Sequence, residues 1–227
     1  GSDTSNTMPY EEVDSLNLEL EKLKAEELRR SETPVKAAPP RTYNSTFPYK
    51  INQPDRTFKL KSELTEISGL GLAANPLLLV AINDEKGEIY FIDKNTGFEE
   101  YEIDFDKGRD YEGVETVGDN IYVVESDGEI YRVQYPNTKD QDTDELDGRM
   151  GRSFNVEGLT YDEDRELLLL ACKGKAGSGA EYEDQRAIYG YDLRKKDYTK
   201  EPVYLIDRKE IEAFLGPKNN HTGVAKD

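Results

Sequence analysis

A tetrapeptide that ends in glycine followed by leucine or valine recurs along this chain at a nearly constant interval. The glycines of the first three copies, at positions 69, 113 and 158, are 44 and 45 residues apart. A period of this length, filled with short apolar runs and turn residues, is typical of a β-propeller blade. The four copies read Ile67-Ser68-Gly69-Leu70, Tyr111-Glu112-Gly113-Val114, Val156-Glu157-Gly158-Leu159 and His221-Thr222-Gly223-Val224. The repeat therefore predicts an all-β fold built from propeller blades.

Each interval between repeat glycines contains an apolar run, a turn and a second apolar run. Continuous runs favour strands that neighbouring sheets cover on both faces. The third unit departs from this plan, because a Gly-rich insertion at 173–184 separates its two runs. Outside the repeats, alternation predicts a strand at Thr57–Leu60, and an Asp N-cap followed by a later proline predicts a short helix at Asp207–Leu215. The paired runs are Leu77–Ile82 with Ile89–Ile92, Ile121–Val124 with Ile130–Val133, and Glu166–Cys172 with Ala187–Tyr191.

The N-terminal part of the chain has a different character from the repeats. A narrow helical pattern runs from Pro9 to Arg30, and Pro34–Pro40 reads as a stiff, extended linker. We interpret residues 1–42 as a helical or disordered segment with a Pro-rich linker, and residues 43–227 as the propeller domain. The first part is either the stalk of a tethered protein or a disordered tail.

The number of repeats is small for a closed ring. The chain carries about three and a half to four units, whereas propellers have roughly four to eight blades. We therefore expect the domain to be C-terminally incomplete, with further blades in the native protein. An open ring exposes blade edges, so self-association through those edges is a second expectation.

The charge of the chain restricts its partners. It has 48 acidic and 30 basic residues, for a formal net charge of −18. Phosphate backbones and anionic membranes need a basic surface, so no nucleic acid partner is expected, and cations or basic partners fit better. The alternative is that the charge only keeps the surface solvated.

Order, spacing and composition of the motifs together resemble the SdiA-regulated family of bacterial β-propellers. The resemblance extends over about residues 47–227. The residues that carry it are Glu66-Ile67-Ser68-Gly69-Leu70, Asn83-Asp84, Gly87-Glu88-Ile89-Tyr90, Asp110-Tyr111-Glu112-Gly113-Val114-Glu115 and Val156-Glu157-Gly158-Leu159-Thr160-Tyr161-Asp162.

This resemblance implies an exported, six-bladed propeller of the bacterial periplasm or cell envelope, often a lipoprotein or otherwise membrane-anchored. Contact with a membrane is then expected only through an N-terminal anchor that this chain does not include. A more distant implication is similarity to calcium-dependent esterase and phytase-like propellers. The chain departs from the family pattern by ending before the last blades, which puts any site built from a whole ring in doubt.

The residue before each repeat glycine is the best candidate for a functional role. Ser68, Glu112, Glu157 and Thr222 should line the central channel if the repeats superpose. Carboxylate and hydroxyl oxygens are the ligands that Ca²⁺ prefers, so Glu112 and Glu157 are candidate metal ligands. The alternative is that these groups only bind water or cap backbone N–H groups. Further candidate ligands near strand ends are Asn83, Asp84, Glu125 and Asn155.

Two other motifs lack the residues or the order that a known binding loop requires. The carboxylates of Asp140, Asp142 and Asp144 lack the glycine and the terminal glutamate of an EF-hand loop, so a solvated loop is predicted there. The glycines at 174–179 lack the order of a phosphate-binding loop and open no helix, so a flexible hairpin loop is predicted.

Three functions remain open from the sequence. The first is an exported, tethered binding module for an unknown protein or small-molecule ligand, with Ca²⁺ near the channel. The alternative is a metal-dependent hydrolase, esterase- or phosphoesterase-like, at the channel mouth. A purely structural scaffold is the third. Nucleophilic catalysis has little support, since the chain has one histidine, His221, and no G-x-S-x-G motif.

Overall fold

A computed structural model describes residues 53–215 of the chain, and within this range it contains three antiparallel sheets. The predicted segment at 1–42 and the fourth repeat, with Thr222, lie outside the described residues. The first sheet has the order β1-β2-β3-β4 and forms the first blade. Its strands are β1 (Ile67–Leu72), β2 (Leu78–Asn83), β3 (Glu88–Asp93) and β4 (Glu99–Asp104).

The second and third sheets repeat the same up-and-down order. The second blade consists of β5 (Tyr111–Val117), β6 (Asn120–Glu125), β7 (Ile130–Gln134) and β8 (Asp142–Glu145). The third blade consists of β9 (Val156–Asp162), β10 (Leu167–Cys172), β11 (Gln185–Asp192) and β12 (Asp197–Tyr198), and β13 (Tyr204–Asp207) also pairs with β11. The predicted all-β fold of propeller blades is confirmed.

The repeat glycines allow the first strands of successive blades to approach one another. A Cβ atom on Gly69 would lie 3.0 Å from the Val114 nitrogen of β5. A Cβ atom on Gly113 would lie 2.8 Å from the Leu159 nitrogen of β9. Only a residue without a side chain fits at such distances. The repeat thus marks the places where β1 meets β5 and β5 meets β9, along the inner edge of the blades.

The apolar runs fill two cores, one on each side of the second blade. Between the first and second blades, Val80, Ile82 and Ile89 are fully buried. Between the second and third blades, Leu168 and Leu170 are fully buried. The middle strands are therefore covered on both faces, as the continuous runs predicted.

One predicted strand is absent and one predicted loop is a strand. Thr57–Leu60 has no strand structure, because alternation alone does not supply a neighbouring strand to bond with. Asp142–Glu145 is the outer strand β8 and not a solvated loop. Its Asp144 forms an ion pair with Arg132 of β7 and accepts a hydrogen bond from the Gln134 Nε2 at 2.8 Å. Carboxylates on an outer strand oppose further pairing, which explains how a strand can have so polar a sequence.

The predicted short helix is confirmed. It spans Arg208–Leu215, here named α1, and the Asp207 Oδ1 accepts a hydrogen bond from the Lys209 backbone nitrogen at 2.7 Å. The Gly-rich insertion joins β10 to β11, as predicted, and includes one 3-10 turn at Ala180–Tyr182. Within residues 53–215, none of the helices combines the length and the apolar character needed to cross a bilayer.

A second compact unit includes the described residues 53–61 together with 94–98. In it the Arg56 guanidinium donates a hydrogen bond to the Asn95 carbonyl at 3.4 Å. Gly97 has a φ of +70°, and the Phe58 side chain occupies the space where a Cβ would lie.

Some apolar side chains of the first blade are exposed within the described part of the chain. Leu70 and Leu72 of β1 are 59% and 63% exposed. Leu70 follows the repeat glycine of the first blade, as Val114 follows that of the second blade. Val114, by contrast, is only 3% exposed. Self-association through such a surface stays a prediction.

Candidate carboxylate site at the inner strands

The three described copies of the repeat share a β-bulge at the residue before the glycine. In β1, Ile67 pairs with Asn83 and Gly69 pairs with Ile82, so Ser68 is left without a partner residue. The same shift leaves Glu112 unpaired in β5 and Glu157 unpaired in β9. A bulge bends the strand and redirects the side chain of the extra residue. The three predicted channel residues within the described part of the chain, Ser68, Glu112 and Glu157, are therefore bulge residues.

Hydrogen bonds between blades hold these bulges at one end of the inner strands. The Tyr111 nitrogen donates to the Asp84 carbonyl of the first blade at 2.9 Å. The Val156 nitrogen donates in the same way to the Ser126 carbonyl of the second blade at 2.8 Å. Each new inner strand thus begins beside the turn that follows the second strand of the blade before it.

Three carboxylates from this end of the blades act electrostatically on a fourth, Glu112. Burial raises the pKa of Glu112 to about 7, and the negative charges of Glu157, Asp110 and Asp84 add to the effect. The Lys173 ammonium opposes this shift. We call Asp84, Asp110, Glu112 and Glu157 the carboxylate cluster. Burial is thus the main reason why Glu112 holds its proton up to near neutral pH, and the nearby negative charges strengthen the effect.

Local contacts orient the outer members of the cluster. The Glu157 Oε1 lies 3.2 Å from the Lys173 Nζ and accepts a hydrogen bond from the Asn155 Nδ2 at 2.8 Å. Asn155 has a φ of 48°, a left-handed conformation that asparagine tolerates better than most residues. The Ser126 hydroxyl donates a hydrogen bond to the Asp110 carboxylate.

Two buried oxygen atoms at this end have no hydrogen-bond partner within the described part of the chain. They are the Ser68 Oγ and the Asp84 Oδ1. A buried polar atom without a partner costs about 1–3 kcal/mol, so it usually signals a water or an ion. Oxygen donors of this kind are those that a hard cation prefers. Among the described residues, however, only Glu125, Asp127 and Glu129 form a group of three acidic side chains with oxygen atoms within 4.8 Å of one another, so a cation here would have to draw the carboxylates of the cluster closer together.

The structure separates the predicted metal ligands into two groups. Asp84 and Asn155 lie with Glu112 and Glu157, as described above. Asn83 instead accepts a hydrogen bond from the Glu85 nitrogen at 2.8 Å through its Oδ1, which caps a turn. Thr222 lies outside the described residues.

Glu125 belongs to a buried network of ion pairs, not to the carboxylate cluster. Its Oε1 accepts a hydrogen bond from the Tyr131 hydroxyl at 2.6 Å and lies 3.3 Å from the Arg109 Nε. Oxygen atoms of Glu125, Asp127 and Glu129 lie within 4.8 Å of one another. Arg149 pairs with both Asp127 and Glu129, so each of these three carboxylates already has an arginine partner.

Sequence reasoning missed three residues of the site. Asp110 stands at the same distance before its repeat glycine as Asn155, so the repeat itself contained the signal. Ser126 and Lys173 follow the second strands of their blades at equivalent positions to Asp84. A comparison of the turns across the three units would have found them.

The raised pKa of Glu112 predicts how stability depends on pH. The folded state binds this proton more tightly than the unfolded chain, so stability falls as pH rises from about 4.5 to about 7. Glu112→Gln has no such proton to lose. In EDTA, we expect the variant to be more stable than the parent at pH 8 by roughly 1 kcal/mol, after allowance for solvent screening. At pH 5 the two should be nearly equal.

Urea unfolding at pH 5 and pH 8 measures this difference, with the exposed Glu163→Gln as a control that should show none. A Glu112→Gln protein that is less stable than the parent at pH 8 would contradict the unfavourable charge assigned to Glu112.

Several solved structures are similar to this chain over about two thirds of its length. Hydrazine synthase of Kuenenia stuttgartiensis is 16% identical, and the match covers 65% of this chain and 38% of that chain with a TM-score of 0.43. An auxiliary nutrient binding protein from Bacteroides thetaiotaomicron is 15% identical, with coverages of 65% and 33% and a TM-score of 0.44. The Cps50 (Swd1) β-propeller domain of Myceliophteria thermophila is 13% identical, with coverages of 62% and 42% and a TM-score of 0.37.

The chain thus spans between 33% and 42% of the length of these three proteins. No protein-family model and no curated protein sequence matches it. The resemblance to the SdiA-regulated family therefore stays a prediction. The assignment of propeller blades rests on the strand order and the glycine contacts of the chain itself.

Proposed function

We propose that this protein is a β-propeller binding module that holds a divalent cation, with Ca²⁺ as the best fit, at the carboxylate cluster. The observation that supports the proposal is the pair of buried oxygens without a hydrogen-bond partner, the Ser68 Oγ and the Asp84 Oδ1, at the end of the inner strands where Glu112 and Glu157 are bulge residues. Burial and three neighbouring carboxylates also raise the pKa of Glu112 to about 7. A cation at this place would offset the neighbouring negative charges that, together with burial, keep the proton on Glu112.

The donor set supports a hard cation over a soft one. The cluster offers carboxylate oxygens from the inner strands of the second and third blades, from the β2–β3 turn of the first blade and from the segment before β5, and no described histidine or cysteine belongs to it. Ca²⁺ accepts six to eight oxygen ligands in irregular geometry, which suits donors on separate turns and bulges. Lys173 competes for Glu157, so cation binding requires that its ammonium move away from the Glu157 Oε1.

The proposal has a specific dependence on pH. Glu112 must lose its proton before it can bind a cation, and the pKa of Glu112 is about 7 in the folded protein without one. Metal binding releases protons wherever a ligand is protonated beforehand. Affinity for Ca²⁺ should therefore increase as pH rises through 7.

Thermal unfolding of the whole chain with CaCl₂ or with EDTA tests the proposal. At a Ca²⁺ concentration of about one hundred times Kd, a single site adds about 2.7 kcal/mol, which raises Tm by roughly 5–10 °C in a chain of this size. Glu112→Gln and Glu157→Gln should each remove most of this increase, and the increase should be larger at pH 8 than at pH 6.

Glu163→Gln is the matched control, since it removes one exposed carboxylate outside the cluster. An unchanged Tm in CaCl₂, or a full increase in both cluster variants, would overturn the proposal.

The hydrolase alternative remains a prediction, in which Glu112 would be the group that exchanges a proton near neutral pH. Export and tethering through residues 1–42 also remain predictions.

A further inference from the structure

The third blade differs from the first two in one connection. Between its second and third strands it has 12 residues, 173–184, whereas the equivalent connections at 84–87 and 126–129 have four residues each. The insertion adds Ala176 to the core, and Tyr182 packs against that core, but the connection itself does not need the extra length, since four-residue turns join the same strands in the other blades. The insertion is therefore a candidate for a function that belongs to this blade alone.

The insertion forms one wall of a cleft of about 620 Å³. The other walls come from residues 148–154, which lead into β9, and residues 197–201, which include β12. Sites for small organic molecules commonly have volumes of about 300–1,000 Å³. The cleft therefore has the size for a small organic ligand.

Aromatic side chains line the cleft and are held in place by their own contacts. The Tyr182 hydroxyl donates to the Glu201 Oε2 at 2.7 Å, and the Tyr189 hydroxyl donates to the Ala176 carbonyl at 2.8 Å. The Phe154 ring packs edge-on against Tyr189, with ring centroids 5.5 Å apart. Rings that are fixed before a ligand arrives lose little entropy on binding.

The glycines of the insertion are explained by this cleft. A Cβ atom on Gly177 would lie 2.6 Å from the Tyr182 Cδ2, so the backbone of the insertion lies directly against the ring. A Cβ atom on Gly174 would lie 2.3 Å from the Ser153 carbonyl oxygen. The Gly-rich sequence serves close packing of the insertion on the ring and on the segment before β9, and not phosphate binding.

The charges in the cleft favour a cationic ligand. Its acidic side chains are Glu181, Asp197 and Glu201, and its basic ones are Arg149 and Lys200. Arg149 already pairs with carboxylates outside the cleft, including the Asp127 Oδ2 at 3.4 Å. Three carboxylates therefore face one remaining ammonium group, on a chain whose net charge is −18.

We propose that this cleft is a second binding site, separate from the carboxylate cluster, that takes an organic cation with an apolar body, such as a quaternary ammonium compound. Tyrosine rings attract such cations through their π electrons, and the acidic rim adds a longer-range attraction. A simple metal ion would gain nothing from the aromatic part of the lining, whereas a quaternary ammonium ion can contact the rings as well as the acidic groups.

Choline chloride is a suitable probe, because 3,3-dimethylbutan-1-ol has the same shape without the charge. Isothermal titration of the whole chain should show saturable choline binding, and the neutral isostere should bind at least roughly tenfold more weakly. Tyr182→Leu removes the ring, and Glu181→Gln removes one charge of the rim. Tyr182→Leu should weaken choline binding by roughly tenfold, and Glu181→Gln should weaken it by a few-fold.

Tyr182→Phe keeps the ring and should keep the affinity within about threefold, which separates loss of the ring from loss of fold. Glu112→Gln should leave choline binding unchanged, so this site is tested independently of the carboxylate cluster. The proposal is overturned if choline does not bind, if the neutral isostere binds equally well, or if Tyr182→Leu retains its fold by circular dichroism and binds choline as the parent does.

Discussion

Gly113→Ala is expected to destabilise the protein by about 2–3 kcal/mol and to lower Tm by roughly 5–10 °C. The added Cβ atom would lie 2.8 Å from both the backbone nitrogen and the Cβ of Leu159. A backbone atom of a paired strand cannot rotate away, so β5 and β9 must separate for the methyl group to fit. Alanine has a higher intrinsic propensity for ordered structure than glycine. Any loss of stability in Gly113→Ala therefore measures the close contact between β5 and β9.

Gly158→Ala is the matched control, because it makes the same chemical change at the equivalent position of the next blade. There the added Cβ would meet only the Ala171 Cβ, at 3.6 Å, among the described residues. That distance is an ordinary contact, so the change in unfolding free energy should stay within about 1 kcal/mol.

Urea unfolding of the two variants beside the parent measures both effects. A Gly113→Ala protein as stable as the parent would mean that β5 and β9 do not pack as described. Equal large losses in both variants would contradict the open surroundings assigned to Gly158.

The repeat explains why so much of the fold could be predicted from the sequence. Because each blade has the same order of strands, a glycine at a fixed offset marks the same contact in every unit. The residue before each repeat glycine therefore has the same position in its blade. For this reason Ser68, Glu112 and Glu157 are all bulge residues.

Features that depend on contacts between elements distant in sequence were beyond such reasoning. Glu125 looked equivalent to other strand-end acids, yet Arg109, on a different segment, determines its role. Asp142–Glu145 looked like a loop, because its strand character depends on pairing with β7 and on Arg132. A repeat of about 45 residues predicts only the features that all blades have in common. The ion pairs of Glu125 and the pairing of Asp142–Glu145 are specific to the second blade.

Arg109→Met is expected to cost about 3 kcal/mol or more at neutral pH. The Arg109 guanidinium lies 3.3 Å from the Glu125 Oε1 and 3.6 Å from the Glu129 Oε2, and it lies over the Tyr131 ring at 5.6 Å. The side chains of Glu125 and Glu129 are only 11% and 2% exposed. Methionine fills similar volume, so the main loss is the positive charge beside Glu125 and Glu129, of which Glu129 keeps its ion pair with Arg149.

An exposed arginine gives the contrast for this variant. Arg194 has a side chain that is 63% exposed and pairs with Glu166 at 3.0 Å. Arg194→Met should therefore change stability by less than about 1 kcal/mol.

The cost of Arg109→Met should also depend on pH in a definite direction. Burial already raises the pKa of Glu125 above its ordinary value of 4.5, although the Tyr131 hydroxyl and Arg109 both act against this. Without Arg109 the pKa of Glu125 rises further, so the folded state holds the proton more tightly than the unfolded chain. Such a group favours folding at low pH and loses that contribution as pH increases above about 4.5.

The variant should therefore be closer in stability to the parent at pH 4.5 than at pH 8, as urea unfolding at the two values would show. Glu125→Gln combined with Arg109→Met should recover part of the loss at pH 8, because it removes the carboxylate that has lost its arginine, whereas Glu129 still pairs with Arg149. A loss that is the same at both pH values, and that the second substitution does not reduce, would mean that Arg109 acts through packing against Tyr131. In that case, the ion pairs of Arg109 with Glu125 and Glu129 would not be the interactions that stabilise the second blade.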